Sequence, residues 1–343
     1  MRSFLKAAAG LVCLVGLACA GCSSDGDGSS DAAPSTTSSP SASASSGQSQ
    51  TSSTAYEPYV SATGATDLDS GGSPSTYNLA FVISDGSDCT PKWNGTSDID
   101  DSTVTSRISA LTDSGASVRV SFGGASGKEL ASTCDSASAL AEAYGEALDA
   151  AGATQADFDI EGDQLTDSDS IALRSKAIAL LQEERSDLTV SFTLPVMPSG
   201  LDDDSLALLE SANDNAVKVS TVNIMTMNYG ESYTDDMGDY ALTSAKAAHT
   251  QLMDVFGLSD ANAWRGMALT SMIGVNDVDG ETFTLSDAAQ VRTFAEEKEI
   301  AWVSMWSTFR DQECTDSSGS DDAATDCSGV EQSDGAFAEA FSG

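Results

Sequence analysis

Short apolar runs rich in β-branched and aromatic residues recur at 59–62, 77–84, 118–122, 156–160, 188–194, 221–227, 266–272 and 301–306. Their length and make-up predict strands. Between most of them, apolar residues at three- and four-residue spacing predict helices at 137–150, 170–184, 203–211, 243–256 and 286–298. Many of these open on a capping residue, such as Ser286 ahead of Asp287. Strand–helix alternation repeated this often predicts an α/β fold, a parallel sheet covered by helices. Eight strands within residues 55–343 fit a closed (β/α)8 TIM barrel better than an open sheet. The first two strands carry the weakest signals, and the first helix is hard to see. A doubly wound sheet is the alternative. It calls for a Gly-x-Gly-x-x-Gly loop, and Gly123-Gly124-x-x-Gly127 misses that spacing.

The first 54 residues follow another pattern. Arg2 and Lys6 flank the start of an apolar run from 7 to 20, too short to span a bilayer as a mature helix. This reads as an export signal over residues 1–21. Its end, Leu17-Ala18-Cys19-Ala20-Gly21-Cys22, resembles a bacterial lipoprotein signal and implies lipidation of Cys22. An ordinary cleaved signal is the alternative, so the protein is expected at the cell surface or outside the cell. Residues 22–54 are dominated by Ser, Thr, Ala, Gly, Pro and Asp, with too little apolar area to offset the entropy of ordering them. They predict a flexible linker to a domain spanning residues 55–343. Beyond the signal region lie Cys89, Cys134, Cys314 and Cys327, an even number that suits an oxidising compartment. Four cysteines allow three pairings, of which loop proximity favours 89–134 with 314–327.

Composition narrows the function. With 53 acidic and 15 basic residues the formal net charge is −38, which repels phosphate backbones and anionic membranes. Nucleic acid is therefore excluded as a partner, and membrane contact is left to the N-terminal lipid. The acidity suits a protein kept hydrated in high salt. One histidine rules out a multi-His metal site within a chain; no metal, no cofactor and a monomer are expected.

Asp157-Phe158-Asp159-Ile160-Glu161-Gly162 is the most informative stretch. Alternation on a strand puts Asp157, Asp159 and Glu161 on one face and Phe158 and Ile160 on the other. In a barrel the shared face is the lumen, and the acids emerge at the C-terminal mouth where chemistry sits. Crowded buried carboxylates must share protons or bind a cation. A calcium loop fails, because its twelfth position is Ser168. General acid–base work remains.

The residues resemble glycoside hydrolase family 18, the chitinase and endo-β-N-acetylglucosaminidase family, whose fourth strand reads Asp-x-x-Asp-x-Asp-x-Glu. Asp157, Asp159 and Glu161 match its last three acids, whereas Thr154 stands where the first belongs. Ser121-Phe122-Gly123-Gly124 matches Ser-x-Gly-Gly, Met227-Asn228-Tyr229 matches Met-x-Tyr, and Trp306 ends the eighth strand. The likeness runs from Tyr56 to about Phe341 and looks closest to a secreted actinobacterial branch, with Tyr56-Glu57-Pro58-Tyr59-Val60 among its stretches.

The resemblance implies a retaining hydrolase of β-1,4-linked N-acetylglucosamine polymers, chitin or its oligosaccharides, with the substrate's acetamido oxygen as nucleophile. Glu161 would protonate the glycosidic oxygen and Asp159 would orient the acetamido N–H. Asp157 would trade a proton with Asp159, and Tyr229 would donate to the acetamido oxygen. Trp306 would floor the sugar site, with Met225, Met227 and Asn228 lining it. Gly123 and Gly124 would lie beside the acids, where making room is as good a reading as touching substrate. Trp93, Trp264 and Trp302 are either sugar platforms or core, Trp302 reading as core, and His249 reads as packing. The alternatives in function are an endo-β-N-acetylglucosaminidase on N-glycans or cell-wall glycans, and a non-catalytic surface protein binding chitooligosaccharides.

Overall fold

A computed structural model of the chain describes residues 54–314 and 326–343. The expected signal, the linker up to residue 53 and the Cys22 lipidation site lie outside the described residues.

The first strand comes in two pieces, β1 (Ala55–Tyr56) and β2 (Tyr59–Ser61). β3 (Thr76–Ser84) follows, then an antiparallel hairpin of β4 (Pro91–Trp93) and β5 (Ser97–Asp98). Next come β6 (Ser117–Gly123), β7 (Gln155–Asp159), β8 (Thr189–Pro195), β9 (Val219–Met225) and β10 (Met267–Met272). A second hairpin, β11 (Gly274–Val275) with β12 (Thr282–Phe283), precedes β13 (Trp302–Trp306). From β3 through β6 to β10 and then β13, each strand lies parallel to the one before it in the ring. β1 pairs with β13 and β2 with β3, both parallel, so the divided first strand closes the barrel. Pro58 sits at the break, where a strand can lack an N–H donor. Glu57 N–H still donates to Val303 O at 3.0 Å, and Pro58 O accepts from Asn78 N–H at 2.9 Å. The expected closed barrel is found, and an open doubly wound sheet is excluded.

The helices are α1 (Ser102–Thr112), α2 (Ala137–Ala151), α3 (Asp163–Thr166), α4 (Ser168–Glu184), α5 (Asp203–Asp214), α6 (Met237–Phe256), α7 (Asp260–Arg265), α8 (Leu285–Lys298) and the C-terminal α9 (Ala336–Ser342). α1 escapes pattern reading because Ser and Thr, poor helix formers, fill much of it. It forms because Asp101 caps it and Val104, Ile108 and Leu111 bury one stripe. α8 is capped two residues earlier than expected: Thr284, not Ser286, forms a capping box with Asp287. α6 begins at Met237 behind the Asp236 cap rather than at 243, and β9 ends at Met225 rather than 227.

Alternation sorts the strands cleanly. Phe122, Phe158 and Phe192 stand in register on β6, β7 and β8 and face the helices. Their ring centroids lie 5.3 and 5.7 Å apart, with Tyr144 of α2 edge-on to the first two. The lumen is polar instead. At its base Arg119 donates to Asn78 at 2.8 Å and Gln155 at 2.9 Å, pairs with Glu57 at 2.8 Å, and covers the Trp302 ring at 4.1 Å. Trp302 is thus core.

Both expected disulfides form. Cys89–Cys134 ties the loop after β3 to the loop after β6, and Cys314–Cys327 closes the segment 315–325, which lies outside the described residues. Under the first, Arg174 of α4 donates to Glu129 Oε2 from Nε at 3.1 Å and Nη2 at 2.7 Å. Tyr144 OH donates to the other oxygen, and Ala131 N–H donates to Oε2 at 2.9 Å. Both side chains of this pair are 1% exposed, so deleting one strands the other without water. Arg174→Met is expected to destabilise the fold by about 3–5 kcal/mol in denaturant unfolding. Arg185→Ala, which breaks a pair whose Asp149 is 69% exposed, is expected to lose under about 1 kcal/mol.

Candidate active site

The register of three strands builds the site from beneath. Ser121, Asp157 and Ser191 align across β6, β7 and β8, with Gly123, Asp159 and Thr193 one step higher. Asp157 is buried and met on all sides by hydroxyls. Its Oδ2 accepts from Ser121 at 2.7 Å and Tyr59 at 3.0 Å; its Oδ1 accepts from Ser191 at 2.7 Å and Thr193 at 2.8 Å. Those contacts fill the lone-pair sites of a carboxylate. Asn223 Nδ2 in turn donates to Thr193 at 3.0 Å, and Thr270 donates to Asn223 Oδ1 at 2.9 Å. The chain of donors runs from β2 round to β10.

Asp159 ends β7. Gly124 N–H donates to its carbonyl at 2.9 Å, and a Cβ on Gly123 (φ 103°) would collide with that carbonyl. A Cβ on Gly124 (φ 90°) would stand 2.8 Å from the Phe81 ring. Both positions therefore require glycine, for conformation and for space. Asp159 Oδ1 is buried and makes no hydrogen bond within the protein. Burial, then the charges of Glu161 and Asp157, push the Asp159 carboxyl well above the usual carboxylate range. Glu161 follows at the mouth, where burial first and Asp277 second raise its carboxyl too.

Asp159 and Glu161 open into a cavity of about 630 Å³, the size class of small-molecule sites. Apolar walls face them. Trp306 lines it, stacked on Phe81 at 5.5 Å and met edge-on by Tyr59 at 5.8 Å, and Met225, Met227 and Met272 contribute thioethers. The charged residues lining it are Asp159, Glu161, Asp202 and Asp277; none of its lining residues is Lys, Arg or His. Acids that hold protons beside an apolar wall can donate to a polar, uncharged ligand.

The structure brings Asp159, Glu161, Met225, Met227, Asn228 and Trp306 together around this cavity, with Asp157 one layer deeper. Asp157 is not hydrogen-bonded to Asp159, as a traded proton requires; its oxygens are occupied by the four hydroxyls, and it acts on Asp159 through space. Gly123 and Gly124 do not line the cavity but seat the Asp159 backbone and the Phe81 ring. Tyr229 does not line it either. Asn228 adopts φ 54°, which breaks strand alternation after Met227 and turns Tyr229 toward α6. There its hydroxyl accepts from Ser244 at 3.4 Å and its ring meets Tyr233 and Tyr240 at 5.9 and 5.8 Å. Trp93 and Trp264 are also core, the latter stacked on His249 at 3.9 Å. Pattern reading missed Tyr59, Phe81, Asn94, Asp202 and Asp277 as lining residues. Inward parity on the first strand was a signal for Tyr59; Phe81 reaches the cavity past the register shift between Leu79 and Val82, which parity does not foresee, and the other three sit on connections and carried none.

Because the folded Asp159 carboxyl is raised, its share of stability is full below the unfolded value of about 3.9 and is lost as pH climbs through the folded one. Asp159→Asn removes that dependence. Its melting temperature relative to the wild type is expected to rise as pH climbs from the unfolded value of about 3.9 through the folded one in thermal scans; a constant offset would contradict the assignment.

No family model matches the chain. Among curated proteins it is 34% identical over 275 residues to the probable bifunctional chitinase/lysozyme of Escherichia coli (strain K12), covering 75% of this chain and 31% of that protein. It is 33% identical over 274 residues to endochitinase 11 of Metarhizium anisopliae, covering 75% of this chain and 52% of the relative. The chain thus spans about a third and about half of these relatives' lengths. The catalytic domain of a hyperthermophilic chitinase from Pyrococcus furiosus superposes with a TM-score of 0.73 at 30% identity, covering 83% of this chain and 93% of that one. With the acid-bearing β7, the polar lumen and the tryptophan-walled mouth, this likeness places the chain in the chitinases of glycoside hydrolase family 18.

Proposed function

We propose that the protein hydrolyses β-1,4 bonds of N-acetylglucosamine polymers, chitin or chitooligosaccharides, with retention and with the substrate's own acetamido group as nucleophile. The observation that carries this reading is the pair Asp159 and Glu161, both raised toward the protonated form and both facing one apolar-walled cavity. Glu161, at the mouth, gives its proton to the glycosidic oxygen as the bond to the anomeric carbon breaks. The acetamido oxygen closes on that carbon to form an oxazolinium, and water then reopens it with Glu161 as base. Asp159, with a buried oxygen making no bond within the protein, accepts the acetamido N–H there and orients the group for attack. Asp157, fixed in the lumen, supplies a standing negative charge beneath. Trp306 offers an apolar face to the sugar ring.

The same chemistry serves N-glycans and cell-wall glycans, and the relative in Escherichia coli bears both chitinase and lysozyme in its name. Four carboxylates and no basic residue around the cavity favour neutral chains over glycans that carry carboxylates. A protein that only binds chitooligosaccharides is disfavoured by the retained proton donor. Export, with lipid on Cys22 or with release, completes the reading and agrees with the two disulfides.

Glu161→Gln is expected to lower turnover of chitotetraose by about 10²–10⁴-fold while still binding it; undiminished turnover would refute the role. Mass spectrometry of products from a panel of N-acetylglucosamine-containing glycans separates the substrate classes. Tyr229→Phe is expected to keep turnover within about threefold, since its hydroxyl faces Ser244; a loss near the roughly 10²-fold of a missing transition-state donor would put it back in the site.

A further inference from the structure

Glu161 is the most exposed member of the acid ladder, and water at the mouth tends to return an acid to its ordinary behaviour. The groups around it decide whether its proton is present when a glycosidic oxygen arrives. On its own side stand Asp157 and Asp159, with the Tyr59 hydroxyl committed to Asp157. The loop before α5 brings Asp202, whose Oδ1 accepts from Ser205 N–H at 2.8 Å. The segment between β10 and β12 brings Asp277, and Glu281 sits at the base of that segment. Beyond β13, Arg310 feels the Asp277 charge, while its Nη2 donates to Ile273 O at 3.0 Å and Val275 O at 2.8 Å.

Asp277 differs from the other acids in how it is held. Asn228 Nδ2 donates to its Oδ2 at 3.3 Å, and its own N–H donates to Asn228 Oδ1 at 3.1 Å. The clasp joins the turn after β9 to the segment after β10. Both partners are braced: Asn276 Nδ2 donates to Met272 O at 2.9 Å and Gly274 O at 3.0 Å, and Glu281 accepts from Gly230 N–H at 2.8 Å. Asn228 brings no charge of its own, so the pair presents a single carboxylate. It does so three strands round the ring from β7, on a cavity whose lining holds no cation to cancel it. A negative charge facing an acid across a shared cavity favours the protonated form of that acid.

We propose that Asp277 is a positioning residue for the proton donor: clasped by Asn228, it faces the cavity as a fixed negative charge that keeps the Glu161 proton in place for transfer. This rests on Glu161 being the general acid. It assigns the Asn228–Asp277 clasp to the timing of protonation rather than to sugar contact.

The test is a carboxyl ¹³C NMR titration of Glu161, assigned by its loss in Glu161→Gln, in the wild type and in Asp277→Asn. The midpoint is expected to fall by about one pH unit in Asp277→Asn, with melting temperature little changed. The basic limb of kcat/KM is expected to move with it while the acidic limb stays. Asn228→Ala, which frees the Asp277 side chain, is expected to give a smaller fall. Near 1 M salt the gap between wild type and Asp277→Asn is expected to narrow, because Asp277 is exposed and its charge is screened. An unmoved Glu161 midpoint in a folded Asp277→Asn protein overturns the proposal, as does an activity loss equal at every pH. A wild type that releases no product from chitooligosaccharides while the midpoint still shifts overturns the proposed function and leaves the charge coupling standing.

Discussion

Four hydroxyls around one carboxylate organise this barrel. Asp157 is buried where an unpaired charge would be costly, and Ser121, Tyr59, Ser191 and Thr193 reach it from three strands, β6, β2 and β8. Each donor belongs to a different part of the ring or a different height, so the carboxylate fixes the register of β2, β6, β7 and β8 at once. Asn223 and Thr270 extend the network to β9 and β10. A lumen filled with branched aliphatics needs only to be packed; this one needs every donor in place. The aromatic row outside it, Phe122, Phe158 and Phe192 under Tyr144, supplies the apolar burial that the interior gives up.

That rigid base lets the acids above it depart from ordinary behaviour. Asp159 sits directly over the Asp157 charge with its carbonyl seated on Gly123 and Gly124, so it is raised by neighbours that cannot move away. Glu161 is one step nearer water, and its partner in raising it comes from another loop altogether. The site is thus graded from a charge locked in the lumen to a proton held at the mouth. Crowding of like charges, which would weaken a fold at random positions, is here confined to one column and answered by hydrogen bonds at its foot.

Much of the architecture was legible in the chain. All eight barrel strands and five of the helices follow from alternation and from three- and four-residue spacing. The misreadings have local causes. α1 was masked by its Ser and Thr content, and the two hairpins are too short to have a period. On β7, Gln155–Asp159, strand parity holds, and Asp157 and Asp159 share the lumen face as alternation predicts. The site was misread at Tyr229, where a single left-handed Asn228 ends that parity.

The chain by itself determined the barrel and the acid column and favoured the cysteine partners, because each rests on short-range regularity: parity along a strand, spacing along a helix, nearness along a loop. Only the tertiary structure decided what faces the acids. Phe81, Asn94, Asp202 and Asp277 come from segments far apart in sequence and meet at the mouth through ring closure, which no local pattern encodes. Whether a tyrosine points into that mouth or under a helix depends on one backbone angle, and the neighbours that fix that angle lie on the next strand's loop.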